Sequence, residues 1–123
     1  MSKLEELVQQ VRSEVGADFI STDIVGMDGL SIAGASADPN FDGSAASARF
    51  AMVMKLSQQV AKKIQMGAVD DNLVTTDQVY VISRFLGDGS YYWGLAVTRD
   101  AVLGMVRMVM SEYADQIWRA IPR

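Results

Sequence analysis

With 123 residues, half of them hydrophobic and 21% charged, the chain is long enough to bury a core and too apolar to remain disordered. Its net charge of −4, with eleven Lys and Arg residues scattered along the sequence, excludes the clustered basic face that nucleic-acid binding needs. Cysteine and histidine are both absent, which removes thiolate chemistry, cysteine-held zinc and the commonest general base; no cofactor is expected, and catalysis would have to use carboxylates, lysines or hydroxyls.

The chain opens with Ser2-Lys3-Leu4-Glu5, a capping box, and carries acids where a signal peptide needs an apolar run. Leu4, Leu7, Val8, Val11 and Val15 keep helical spacing up to Gly16. Phe19 to Val25 is rich in β-branched residues, with Phe19, Ser21 and Asp23 alternating against Ile20, Thr22 and Ile24. Gly26-Met27-Asp28-Gly29 is a turn, and Leu30 to Ala35 reads as the returning strand of a hairpin. After a loop from Ala37 to Gly43, a long helix covers Ser44 to Ile64. Asn72 to Asp77 holds a short polar strand, as an edge strand often is. Val79 to Leu86 is apolar on both alternating faces, which predicts a central strand covered on both sides. Gly87-Asp88-Gly89-Ser90 turns the chain into the strand Tyr91 to Thr98. Asp100 is placed to cap a last helix, Ala101 to about Ala120, with Val102, Val106, Val109, Met110, Tyr113 and Ile117 as its buried face. No stretch approaches the ~20 apolar residues of a membrane span. The expectation is one α+β domain over residues 1–123, cytoplasmic, without membrane insertion: a five-stranded antiparallel sheet flanked by three helices.

The second helix is too apolar for a single core face. At about 100° per residue its large and small apolar side chains fill an arc of roughly 160°, against about 100° for an ordinary surface helix. Met52 widens the arc further. Two surfaces are therefore predicted for it, with Phe50, Val53, Val60 and Ile64 toward the sheet and Arg49, Met52 and Leu56 toward a partner.

The hairpin Ile24 to Ala33, the long helix ending in Ile64, the segment Leu86-Gly87-Asp88-Gly89-Ser90-Tyr91 before Leu95-Ala96-Val97, and Ala101-Val102-Leu103-Gly104-Met105-Val106-Arg107 form an ordered pattern over nearly the whole chain. That pattern resembles the Roadblock/dynein light-chain family, particularly its bacterial members that regulate Ras-like GTPases. The resemblance implies a Roadblock/profilin-like sandwich in the order α-β-β-α-β-β-β-α, and a homodimer joined through paired second helices and paired third strands. Carried over by position, Arg49, Met52 and Leu56 on the helix and Asn72, Val74 and Thr76 on the strand form that dimer or partner interface. It also implies a small Ras-like GTPase as partner, regulated without a catalytic group from this chain, or held by it as a scaffold.

Sharper motifs compete with these readings. Asp38-Pro39-Asn40-Phe41-Asp42-Gly43 begins like a calcium-binding EF-hand loop, but its twelfth place, a bidentate glutamate in that loop, is Arg49; a polar loop leading to a helix cap at Gly43 or Ser44 is expected instead. Gly87-Asp88-Gly89-Ser90 lacks the spacing and the Lys-Ser/Thr of a phosphate loop. Arg49, Arg84, Arg99 and Arg107 are each conceivable arginine fingers; Arg107 reads as a solvated charge and Arg49 as the one beside the apolar arc. Met108 and Trp118 fall outside the last helix's apolar face and need cover from elsewhere. Two other function classes remain. A small-molecule sensor would line a pocket with Tyr91, Tyr92 and Trp93. A carboxylate enzyme would use Asp70 and Asp71, which neighbouring places on a strand point to opposite faces.

Overall fold

In the computed structural model, which describes residues 1–123, the chain runs α1 (Lys3–Val15), β1 (Phe19–Gly26), β2 (Ser31–Ser36), α2 (Gly43–Lys63), β3 (Asp71–Thr75), β4 (Val79–Leu86), β5 (Tyr91–Thr98) and α3 (Leu103–Ala120). That is the expected element order. The strands make one antiparallel sheet, ordered β2-β1-β5-β4-β3. Helices α1 and α3 pack together on one face, and α2 crosses the other above β1, β2 and β5.

Local chemistry explains the boundaries. The Ser2 hydroxyl accepts from the Glu5 amide at 3.1 Å, and Gly16, at φ 73°, ends α1 while its amide donates to the Arg12 carbonyl. Leu4, Leu7, Val8 and Val11 then share one buried stripe with Ile24, Ile82, Trp93, Leu95, Val106, Met110 and Ile117. Two polar groups enter this core and both are paired. The Trp93 indole donates to Thr22 Oγ1 at 2.7 Å, and that hydroxyl donates to the Gly94 carbonyl at 2.7 Å.

Several expectations are corrected. A register shift between Phe19 and Ser21 turns Phe19 into the core beside Thr22 and Ile24, and leaves Ile20 on the α2 side. Strand β2 begins at Ser31, because the Leu30 amide donates back to Asp28 Oδ1 at 3.1 Å within the turn. The central strand is β5, not β4. Ile82 and Leu86 of β4 are buried on the α3 side, whereas Val79, Val81 and Phe85 face the other way and are half-exposed; Phe85 packs beside Ala51 and Met54 of α2, while Val79 and Val81 border an open pocket. Asp100 does not cap α3. It lies in a turn closed by the Ala101 amide on the Thr98 carbonyl, so the helix starts at Leu103 with Val102 at its N-cap and no side-chain cap. Val102 is accordingly exposed rather than part of the buried face. Trp118 is covered within the chain: its ring lies over Gly87, where any Cβ would overlap it, meets Tyr91 edge-on at 6.4 Å and carries the Arg123 guanidinium at 3.8 Å.

Candidate interaction surface

Helix α2 starts where the loop's carboxylates leave it. Asp42 Oδ1 accepts from the Ala45 amide at 3.3 Å and the Ser44 hydroxyl at 2.9 Å, and these bonds hold the Asp42 carboxyl below its ordinary value. Asp38 Oδ1 accepts from the Asn40 amide at 2.9 Å. The EF-hand-like residues thus serve a turn and a helix cap, the cap lying one residue before the expected Gly43 or Ser44.

The helix meets the sheet through small and flexible side chains. Ser47, Ala51 and Met54 are buried there, against Val25 and Tyr92. Their opposite side is a ridge of Arg49, Met52, Val53, Leu56, Val60 and Ile64, all exposed. Leu56 keeps 62% of its surface in water and Ile64 60%. The expected division of the helix is therefore corrected. Val53, Val60 and Ile64 do not face the sheet; they continue the Met52 and Leu56 surface, while Phe50 lies half-buried on the flank between. The inner face was disguised because its buried residues are smaller or more polar than the outer ones. An aliphatic ridge of this length pointing at solvent is unusual for a helix with no further partner.

Strand β3 lies at the sheet edge, bonded only to β4. Asn72 and Val74 stand opposite Ser83 and Val81 on the α2 side of the sheet. Thr76 falls just beyond the strand, where its hydroxyl accepts from the Val79 amide at 2.9 Å and its carbonyl accepts from Arg99. Asn72 is occupied internally: its Nδ2 donates to Ser57 Oγ on α2 at 2.7 Å. The Val69 amide likewise donates to Gln58 Oε1 at 3.0 Å. These two bonds staple the C-terminal half of α2 to the approach of β3, so the ridge and the free edge adjoin.

The other arginines are engaged. Arg107 is not a solvated charge but forms a two-bond pair with Asp71, Nε to Oδ2 at 3.1 Å and Nη2 to Oδ1 at 3.2 Å, tying α3 to β3. That pair also commits Asp71 to a structural contact. Arg84 donates to Ser111 at 3.2 Å, and Arg99 stacks over Tyr80 at 4.8 Å. Among Arg49, Arg84, Arg99 and Arg107, only the Arg49 side chain makes no hydrogen bond within the chain.

The aromatic run is split by strand alternation. Trp93 is in the α1/α3 core, Tyr91 beside Trp118, and Tyr92 alone faces α2, its hydroxyl donating to the Ser47 carbonyl at 2.6 Å. Beside it lies a polar group that the sequence reading left unused. Asp23 accepts from the hydroxyls of Ser47, at 2.7 Å, and Ser31. Burial raises its carboxyl above the ordinary value although both hydrogen bonds oppose the shift. Burial, then the Asp23 charge, raises the Tyr92 phenol as well. An aspartate at an inward place of a β-branched strand was the available signal.

No family model and no curated protein matches the sequence. Solved structures do match. Myxococcus xanthus MglB superposes with a TM-score of 0.88 at 14% identity, over 97% of this chain and 94% of that one. A Roadblock/LC7 domain from Streptomyces avermitilis gives 0.83 at 17% identity, over 92% of both chains. An MglB with a tetrameric arrangement gives 0.85 at 16% identity, over 96% of this chain and 87% of that one. At these identities the likeness is one of fold, and the fold is that of Roadblock domains and MglB.

Proposed function

We propose that the chain, taken whole as one cytoplasmic domain, is a homodimeric interaction module that binds and regulates a small Ras-like GTPase, as an activator or a scaffold, without chemistry of its own. The observation that carries this reading is the solvent-facing ridge of α2, Met52, Val53, Leu56, Val60 and Ile64, adjoining the unpaired edge of β3. A second copy meeting both would bury the ridge and extend the sheet, which a twofold axis permits because each surface is matched to itself. Arg49, Met52 and Leu56, with Asn72, Val74 and Thr76, are the proposed contact residues. The Roadblock and MglB likeness supports the choice of partner class, and one solved MglB is described in a tetrameric arrangement. Regulation would follow from unequal affinity for two switch conformations of the GTPase, since a partner shifts such an equilibrium only by that difference.

The test is capture from source-cell extract on immobilised protein, with a GTP analogue or GDP added. A small P-loop GTPase retained in a nucleotide-dependent way, and lost with Leu56→Asp, is expected. Retention of no GTPase with either nucleotide would refute the partner class.

A further inference from the structure

A cavity of about 270 Å³ lies between the flank of α2 and the floor of the sheet. Phe41 and Phe50 form its roof, and Val81 and Ala96 part of its floor. It exists because α2 approaches through small residues over β1 and β5 and leaves Val79 and Val81 of β4 only half-covered. Gly94 keeps the floor bare between Ser83 and Tyr92; a Cβ there would come to ordinary contact, 3.7 Å from the Tyr92 ring and 3.9 Å from Ser83 Oγ.

Ser83 lines this cavity, is 1% exposed, and its hydroxyl has no hydrogen-bond partner in the chain. A buried hydroxyl without a partner is costly, and strand alternation could have placed an apolar residue there at no loss. Asp23 also lines the wall, but its carboxylate oxygens already accept from Ser31 and Ser47. The walls are largely apolar and half-open, and they present the buried, unpartnered Ser83 hydroxyl beside an acid that disfavours an anion. Apolar cavities of ~150 Å³ take up benzene, so this one has room for a bicyclic aromatic or a short alkyl chain.

We propose that this cavity binds a neutral, largely apolar small molecule carrying one hydrogen-bonding group, which the Ser83 hydroxyl meets. The site lies off the α2 ridge, although Ser83 and Val81 pair with Asn72 and Val74 of the proposed contact edge; it goes beyond the GTPase reading, and probe titration and nucleotide-dependent capture test the two separately.

The test uses the full chain and three probes of one size: 2-naphthol, naphthalene and 2-naphthoate, followed by fluorescence titration. Saturable binding of one 2-naphthol per chain is expected, about three- to tenfold tighter than naphthalene, the worth of one hydrogen bond, with 2-naphthoate weakest. Ser83→Ala should erase the preference for 2-naphthol while naphthalene still binds. Ala96→Phe should abolish binding of all three, with Ala46→Leu as a milder filling variant and far-UV circular dichroism confirming the fold of each. Leu56→Asp should leave binding unchanged. The proposal is overturned by absence of 2-naphthol binding, by 2-naphthoate binding as tightly, or by binding that folded filling variants spare and Leu56→Asp removes.

Discussion

Leu56→Ala should weaken self-association while leaving the folded protomer almost untouched. Full burial of a leucine side chain is worth about 1.5–3 kcal/mol. Leu56 already has 38% of its surface covered and leaves 62% in water, so covering the rest contributes about 1–2 kcal/mol per copy. Across a twofold interface the loss occurs twice, about 2–4 kcal/mol in all, or roughly 30- to 1,000-fold in the dimer dissociation constant. Sedimentation equilibrium over a concentration series measures that constant directly, and urea unfolding at the lowest concentration reports the protomer. A dissociation constant within threefold of the wild type, with an unchanged unfolding midpoint, would mean that the ridge is not the dimer contact. A large fall in protomer stability would instead mean that Leu56 is buried within its own chain.

Gly87→Ala should lower stability by at least about 2 kcal/mol, combining a left-handed backbone at φ 51° with overlap of the new Cβ on the Trp118 ring; urea unfolding together with tryptophan emission reads both effects. Arg107→Ala should cost about 0.5–1 kcal/mol, as its pair with Asp71 is partly exposed, and should raise amide exchange in β3 without changing α1. Asp23 titrates at a raised value in the folded state, so the native protein binds its proton more tightly than the unfolded chain. The stability it contributes is full below its ordinary value of 3.8 and is lost as pH rises through the higher folded value. Asp23→Asn should therefore gain stability relative to the wild type as pH rises from about 4 to neutrality; thermal melts across that range, showing a pH-independent difference, would contradict the burial argument.

Much of this architecture was legible because periodicity reports burial well where one face is wet. Helix α1, with its Ser2 cap and Gly16 stop, and the β1–β2 hairpin followed that rule. So did the polar edge strand β3. The inside of α2 did not, since hydrophobic spacing identifies apolar faces without saying which one meets the sheet. Here Ser47 and Ala51 lie inside and Val60 and Ile64 outside, because the sheet below supplies the bulk through Tyr92 and Val25. Strand β4 misled for a related reason. Its two apolar faces were real, but on one of them α2 covers Phe85 and leaves Val79 and Val81 half-exposed. The bulge at Ile20, the Trp118 seat on Gly87 and the Arg107–Asp71 pair depend on distant residues meeting, and no local pattern encodes them.

The most direct test is a calorimetric titration of a purified small Ras-like GTPase from the same genome, loaded with a GTP analogue or with GDP, into this chain. A saturable complex whose affinity differs at least tenfold between the two nucleotides, and which Leu56→Asp weakens, is the predicted result. Absence of binding in both nucleotide states, or equal binding that ignores the α2 ridge, would contradict it.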